Sequence, residues 1–215
     1  MRELRGPRRI AAESVFALRR AWYRVRFPGL TVGKDVRFVG RIRVRGGTKV
    51  VLGDRVRVRK LVRINGGGVV HVGPDTLLNG CWIMASTSVE IGARSLVSDA
   101  GILDTDYHNL DPERRHDPPT DRTRAPVVLG ENVWLGSASM VLKGSTIGRD
   151  SVVAAGAVVR GEVPPRVVVS GNPATVVKKF ADGPVTHRAE PHANEPQPSE
   201  PHRTDAPDTK DGTHG

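Results

Sequence analysis

LTVGKDVRFVGRIRVRGGTKVVLGDRVRVRKLV, residues 30–62, sets Val32, Phe38, Val44, Val50, Val56 and Val62 on one register of six. A slower beat overlies it. Aliphatic–glycine pairs recur at Val32-Gly33, Leu52-Gly53, Val72-Gly73, Ile91-Gly92, Leu129-Gly130 and Ile147-Gly148, with the glycines 20, 20, 19, 38 and 18 residues apart. Three hexads make a period of about eighteen residues, the length of one turn of a three-sided coil that returns a branched side chain to the same inward position. Alternation of Arg and Val over 41–45 and 55–59 points the valines in and the arginines out. A glycine beside each inward aliphatic suits a corner that needs positive φ or leaves no room for a side chain. An antiparallel sandwich also alternates, but it keeps no such period. The reading is all-β, a parallel β-helix over residues 30–181. Periodicity alone leaves its handedness open.

The gap of 38 is two periods long, yet residues 104–125, DTDYHNLDPERRHDPPTDRTRA, are polar and carry no inward aliphatics. They read as a loop thrown out of one corner. Ordering a long loop costs entropy, so such a loop is the first place to seek chemistry.

The flanks differ from this centre. Residues 1–29 form a basic segment whose helix, 8–27, carries Val15, Leu18, Trp22 and Val25 along one side and Arg19, Arg20, Arg24 and Arg26 elsewhere. Pro7 and Pro28-Gly29 bracket it. This helix suits either a basic membrane surface or packing by Trp22 and Leu18 onto the end of the core, and the packing role is the expectation. Residues 182–215, with six prolines, four histidines and almost no aliphatic side chain, are expected to be disordered.

The net charge of +10 is unevenly spread. Residues 1–63 hold 19 Lys and Arg against 4 Asp and Glu, and residues 64–181 hold 11 against 12. Outward arginines in solvent account for most of this, although an anionic partner would also use it. Aromatic residues for base stacking are scarce, and no phosphate loop or Gly-x-Ser-x-Gly elbow occurs, so no nucleic acid is expected. The single cysteine, Cys81, cannot close an intrachain disulfide, and no apolar run suits a signal peptide or membrane span. The expected address is the cytoplasm.

The hexads, the loop DTDYHNLD at 104–111, the run LGENVWLGSASMVLKGSTIGRDSVVAAGAVV at 129–159 and VPPRVVVSGNPATVVKKF at 163–180 together resemble the hexapeptide-repeat acyltransferases, in particular sugar and polysaccharide O-acetyltransferases. The resemblance covers about residues 30–180. It implies a left-handed parallel β-helix, a homotrimer with active sites between subunits, and transfer of an acetyl group from acetyl-CoA to a hydroxyl of a sugar or polysaccharide precursor.

Acyl transfer needs a base for the hydroxyl proton, donors for the oxyanion and a channel aligning the two substrates. His108 fits the base, since imidazole exchanges its proton near neutral pH and general-base help is worth roughly 10² to 10⁴ in rate. Asp104 or Asp106 would orient it, or a backbone carbonyl would. His71 and His116 match no motif. By the resemblance, the Ser137 N–H meets the oxyanion, Asn79 and Trp134 line the acceptor site, and Ala155 and Gly156 line the coenzyme groove. Arg160, Arg166 and Lys178 would meet the coenzyme phosphates, although relatives place Thr-Lys where this chain has Arg160-Gly161. An Asn79 at a coil corner with left-handed backbone, or a Trp134 packed at a coil edge, would serve structure alone. No metal is required on this reading.

Two rivals remain. A zinc lyase of the γ-carbonic-anhydrase kind would need three converging histidines, and His71, His108 and His116 supply the number. A non-enzymatic scaffold would bind an anionic partner through the basic N-terminal third.

Overall fold

The computed structural model describes residues 7–181, with side chains from residue 13 onward. The expected disorder of 182–215 lies outside those residues. From Leu30 the chain winds as a parallel solenoid with three faces. Face A runs from Leu30–Val32 to Glu162–Val163, face B from Arg37–Phe38 to Val167–Gly171, and face C from Arg41–Val44 to Val158–Val159. Face A holds seven strands, which sets the number of turns at about seven. A final strand, Ala174–Lys179, folds back antiparallel on Val167–Gly171.

The hexad register points into the prism: Val32, Phe38, Val50, Val56 and Val62 are buried, and Val44 packs against the same core from its rim. The coils are longer than eighteen residues at first. Leu30 pairs with Val50, Val50 with Val70 and Val70 with Val89, and the period contracts to eighteen only between Val128 and Thr146. The extra residues sit largely in glycine-containing corners between faces C and A, such as Arg45-Gly46-Gly47-Thr48. Val89 pairs with Val127, so residues 104–126 lie outside the stack and the gap of 38 is one coil.

The paired glycines are explained by close approach rather than positive φ. A Cβ on Gly73 would lie 2.4 Å from Ala93 N, and one on Gly92 would lie 2.3 Å from Gly130 O. Positive φ falls two residues after each paired glycine, at Asp35, Arg55, Asp75, Arg94, Asn132 and Asp150, and at Arg166 in the last coil, where Pro164 takes the glycine's place. Side chains from this strained row pair from coil to coil, as in the two-pronged Arg55–Asp75 contact at 2.7 Å. The hydrogen bonds and charge of Arg55 hold the Asp75 carboxyl below its ordinary range.

The helix Pro7–Arg26 closes the first coil, but not by the side expected. Tyr23 is buried with its ring 4.2 Å from that of Phe38, Phe27 stacks beyond it, and the Tyr23 hydroxyl accepts from Ile42 N. Trp22 and Leu18 are 57% and 72% exposed. The reason is the first coil's open end. Its carbonyls have no coil above them, and Arg19, Arg20 and Arg24 reach down to Phe38 O, Val36 O and Val32 O. Those arginines and Tyr23 orient the helix, which leaves the Val15–Leu18–Trp22–Val25 side outward. Among the described residues no helix is long and apolar enough to cross a membrane.

Candidate active site

Residues 104–126 leave face C after Gly101–Leu103 and return to face A at Val127–Leu129. Four buried polar side chains give this loop its shape. Asp104 is fully buried, and its two oxygens accept from Ser86 N, Thr87 N and Thr87 Oγ1 at 2.7, 2.5 and 2.8 Å. It caps the turn of the coil before it. Asn109 Nδ2 donates to Arg114 O at 2.8 Å across the loop, and buried Thr123 donates to Thr120 O. Thr105 and Arg124 form a bridge that pinches the loop's neck.

His108 is held at the tip of a strained turn. Its N–H donates to Asp106 O at 2.8 Å, and the residue between them, Tyr107, has φ 65°. A hydrogen bond across one residue of positive φ is a γ-turn of the rare, strained kind. The His108 side chain is exposed. Behind it, Lys143 Nζ lies 2.6 Å from the buried Asp106 Oδ2, a charge-to-charge contact rather than a directed hydrogen bond, and donates to Arg122 O at 2.7 Å. Lys143 thereby ties both limbs of the loop to the next coil. Burial, and then the Asp104 charge, push the Tyr107 phenol up, so it stays protonated at neutral pH and able to donate.

The two carboxylates expected beside His108 therefore differ. Asp104 has both oxygens engaged by residues 86–87, whereas Asp106 joins the histidine turn to Lys143. The pattern of charges in the sequence does not single out Lys143, whose partners Asp106 and Arg122 O lie far back along the chain, or Asn109 and Thr123, which bond backbone carbonyls five and three residues away. Cys81 is buried, which pushes its thiol up to about 12 and removes it as a nucleophile.

The remaining site residues are spread over the prism. Ser137, Ala155 and Gly156 stack at the corner between faces B and C, where Ser137 O accepts from Gly156 N at 2.9 Å. Gly156 has φ 72° and open space where a side chain would stand. Arg160 sits at the corner between C and A, and Arg166 at the corner between A and B, where it bonds Ala181 O. Lys178 lies on the returning strand over the Phe180 ring. A single chain thus does not gather Arg160, Arg166 and Lys178 around one groove.

Asn79 and Trp134 both point outward from face B. Positive φ falls on Gly80 rather than Asn79. Trp134 is half exposed, so it is not a core residue. It continues an apolar row, Leu77–Leu96–Trp134–Val152, along that face. Face C carries a second row, Trp82–Gly101–Met140–Val158. A Cβ on Gly101 would lie 2.6 Å from the Trp82 ring and 2.7 Å from Met140 Sδ, so glycine lets those two side chains close over the strand.

His71 lies on face A between Val51 and Glu90, away from the loop that holds His108 and His116. Among the described residues of one chain, no three His, Cys, Asp or Glu side chains converge on a point that could hold a metal.

Residues 126–161 match the family described as bacterial transferase hexapeptide (six repeats). Over that stretch the chain is similar to the hexapeptide-repeat transferases. It is 30% identical over 132 residues to the galactoside O-acetyltransferase of Escherichia coli K12, covering 61% of this chain and 64% of that protein. It is 37% identical over 123 residues to the putative lipopolysaccharide biosynthesis O-acetyl transferase WbbJ of the same organism, covering 54% and 63%. The chain therefore spans less than two thirds of either relative. A crystallised hexapeptide-repeat-containing acetyltransferase from Vibrio cholerae superimposes with a TM-score of 0.54 at 25% identity, over 78% of this chain and 82% of that one. The polysialic acid O-acetyltransferase OatWY shares the fold, with a TM-score of 0.59 at 20% identity, over 75% and 79%.

Proposed function

We propose that this protein is an acetyl-CoA-dependent O-acetyltransferase acting on a hydroxyl of a sugar or polysaccharide precursor, with His108 as general base. The observation that carries the reading is the exposed His108 on a strained turn, braced through Asp106 by Lys143, in the one long loop that leaves the coil stack among the described residues. Strained backbone persists only where surrounding contacts over-determine it, and here they present an imidazole to solvent. In the reaction, His108 removes the acceptor proton as the oxygen attacks the thioester carbonyl, then returns it to the departing thiolate. The Ser137 N–H donates to the oxyanion, and Tyr107 offers a second donor at the loop. Asp106 acts as a positioning residue for the turn, and Asp104 anchors the loop's base.

The active assembly is a homotrimer. The apolar rows of faces B and C meet at the corner that bears Ser137 and Gly156, and three prisms packed about that corner bury both rows. The corner of one copy then faces the loop of its neighbour, and the coenzyme lies in the groove between. Arg160, Arg166 and Lys178, dispersed in one chain, meet the coenzyme phosphates from different copies. Asn79 and Trp134 line the acceptor end of the groove. The cytoplasm supplies the donor. The names of the Escherichia coli relatives, both O-acetyltransferases, support this chemistry.

The test is release of free thiol from acetyl-CoA with a panel of sugars and oligosaccharides. Release that requires one acceptor class, with a matching acetylated product by mass, is expected. Silence across all donors and acceptors contradicts the reading.

A further inference from the structure

We propose that the N-terminal end of the prism docks on an anionic lipid bilayer, with the helix Pro7–Arg26 lying in the interface. This surface is separate from the acetyl-transfer machinery and does not depend on it. Three observations carry it. The first is the outward side of the helix. Val15, Leu18, Trp22 and Val25 fall within about a quarter of the helix circumference, and Val25 is the most exposed at 83%. The opposite side holds Tyr23 against the coil, with Phe16 half-buried on that side and Phe27 stacked on Tyr23 just past the helix, and the stripe stays exposed among the described residues.

The second is the charge beside it. Trp22 and Arg26 line a groove of about 500 Å³ together with Arg41 and Arg43 from the first strand of face C and Arg45 from the corner that follows it. A neighbouring groove adds Arg19 and Lys60 around the same tryptophan. Arg41, Arg43 and Arg45 are exposed, and Arg43 stands in register with Arg63. The third is the division of labour among the arginines. Arg19, Arg20 and Arg24 satisfy first-coil carbonyls, whereas the face C arginines alternate outward beside inward Ile42 and Val44.

An apolar stripe with a tryptophan, flanked by guanidinium groups on one side, matches the headgroup boundary of an anionic membrane. The stripe enters the acyl boundary, and the arginines meet lipid phosphates with forked hydrogen bonds. Nucleic acid would use the arginines but leave Leu18 and Val25 in water.

The experiment is co-sedimentation of the full chain with vesicles of phosphatidylcholine alone and of phosphatidylcholine mixed equally with phosphatidylglycerol. Binding is expected to the mixed vesicles only, weakening as salt is raised. L18E/V25E should abolish it, and R43Q and R45Q should each weaken it about fivefold, all with unchanged circular dichroism and oligomer size. Equal binding to neutral vesicles, or none to the mixed ones, overturns the proposal. So does binding that survives L18E/V25E and is competed by duplex DNA, which would make the surface a polyanion site. A change of oligomer size in L18E/V25E without loss of vesicle binding also overturns it, because the stripe would then be a contact between copies.

Discussion

Ile102 and Asp104 stand two residues apart at the junction of two regions that are held together in different ways. Ile102 is one member of a long buried stack in which each coil covers the next. Asp104 starts a loop whose course rests on a few named polar contacts. In the stack, stability is shared among many interchangeable apolar contacts. In the loop, shape depends on single atoms. A catalytic base suits the second region because its position can be specified there without disturbing the first.

This contrast can be broken by substitution. Ile102→Ala should cost about 2–5 kcal/mol of stability through lost burial and a residual cavity, read by chemical denaturation. Transfer per folded molecule should stay near wild type. If Ile102→Ala instead abolished transfer without loss of stability, the separation of stack and loop would fail. Asp104→Asn keeps the shape but turns an amide toward two backbone N–H groups and a hydroxyl. It should cost about 1–3 kcal/mol and raise amide hydrogen exchange over residues 105–125 more than over the coils. Uniform exchange across the chain would show that Asp104 belongs to the stack instead. Lys143→Gln removes one partner of a pair that is still a quarter exposed on each side. Its effect on stability should stay below about 1 kcal/mol, while turnover falls severalfold as the histidine turn loosens. Unchanged turnover would remove Lys143 from the positioning of that turn.

The stack was legible in the sequence because its physics is repetitive: the register of six from Val32 to Val62 is the core itself. The loop was legible by contrast, as the one polar interval in the period. Coil length was less so, because the early corners absorb extra residues that leave the valine register intact. The helix misled for a physical reason. Its Val–Leu–Trp–Val spacing marks an amphipathic side but not which side meets the core, and that choice is made by Tyr23 and by carbonyls of the first coil. His108 stood out by its motif, whereas Lys143 acts on Asp106 across 37 residues, a distance over which a lone lysine carries no signal, and Asn109 bonds a backbone carbonyl five residues on, a contact that a lone asparagine in a polar loop does not announce.

On the proposed mechanism His108 takes the acceptor proton while contributing nothing to the fold. The direct measurement is acetyl transfer by His108→Ala beside wild type, with coenzyme A affinity, melting temperature and oligomer size recorded on the same samples. A rate lower by about 10² to 10⁴ is expected, with the other three unchanged. Transfer at the wild-type rate by His108→Ala would contradict it.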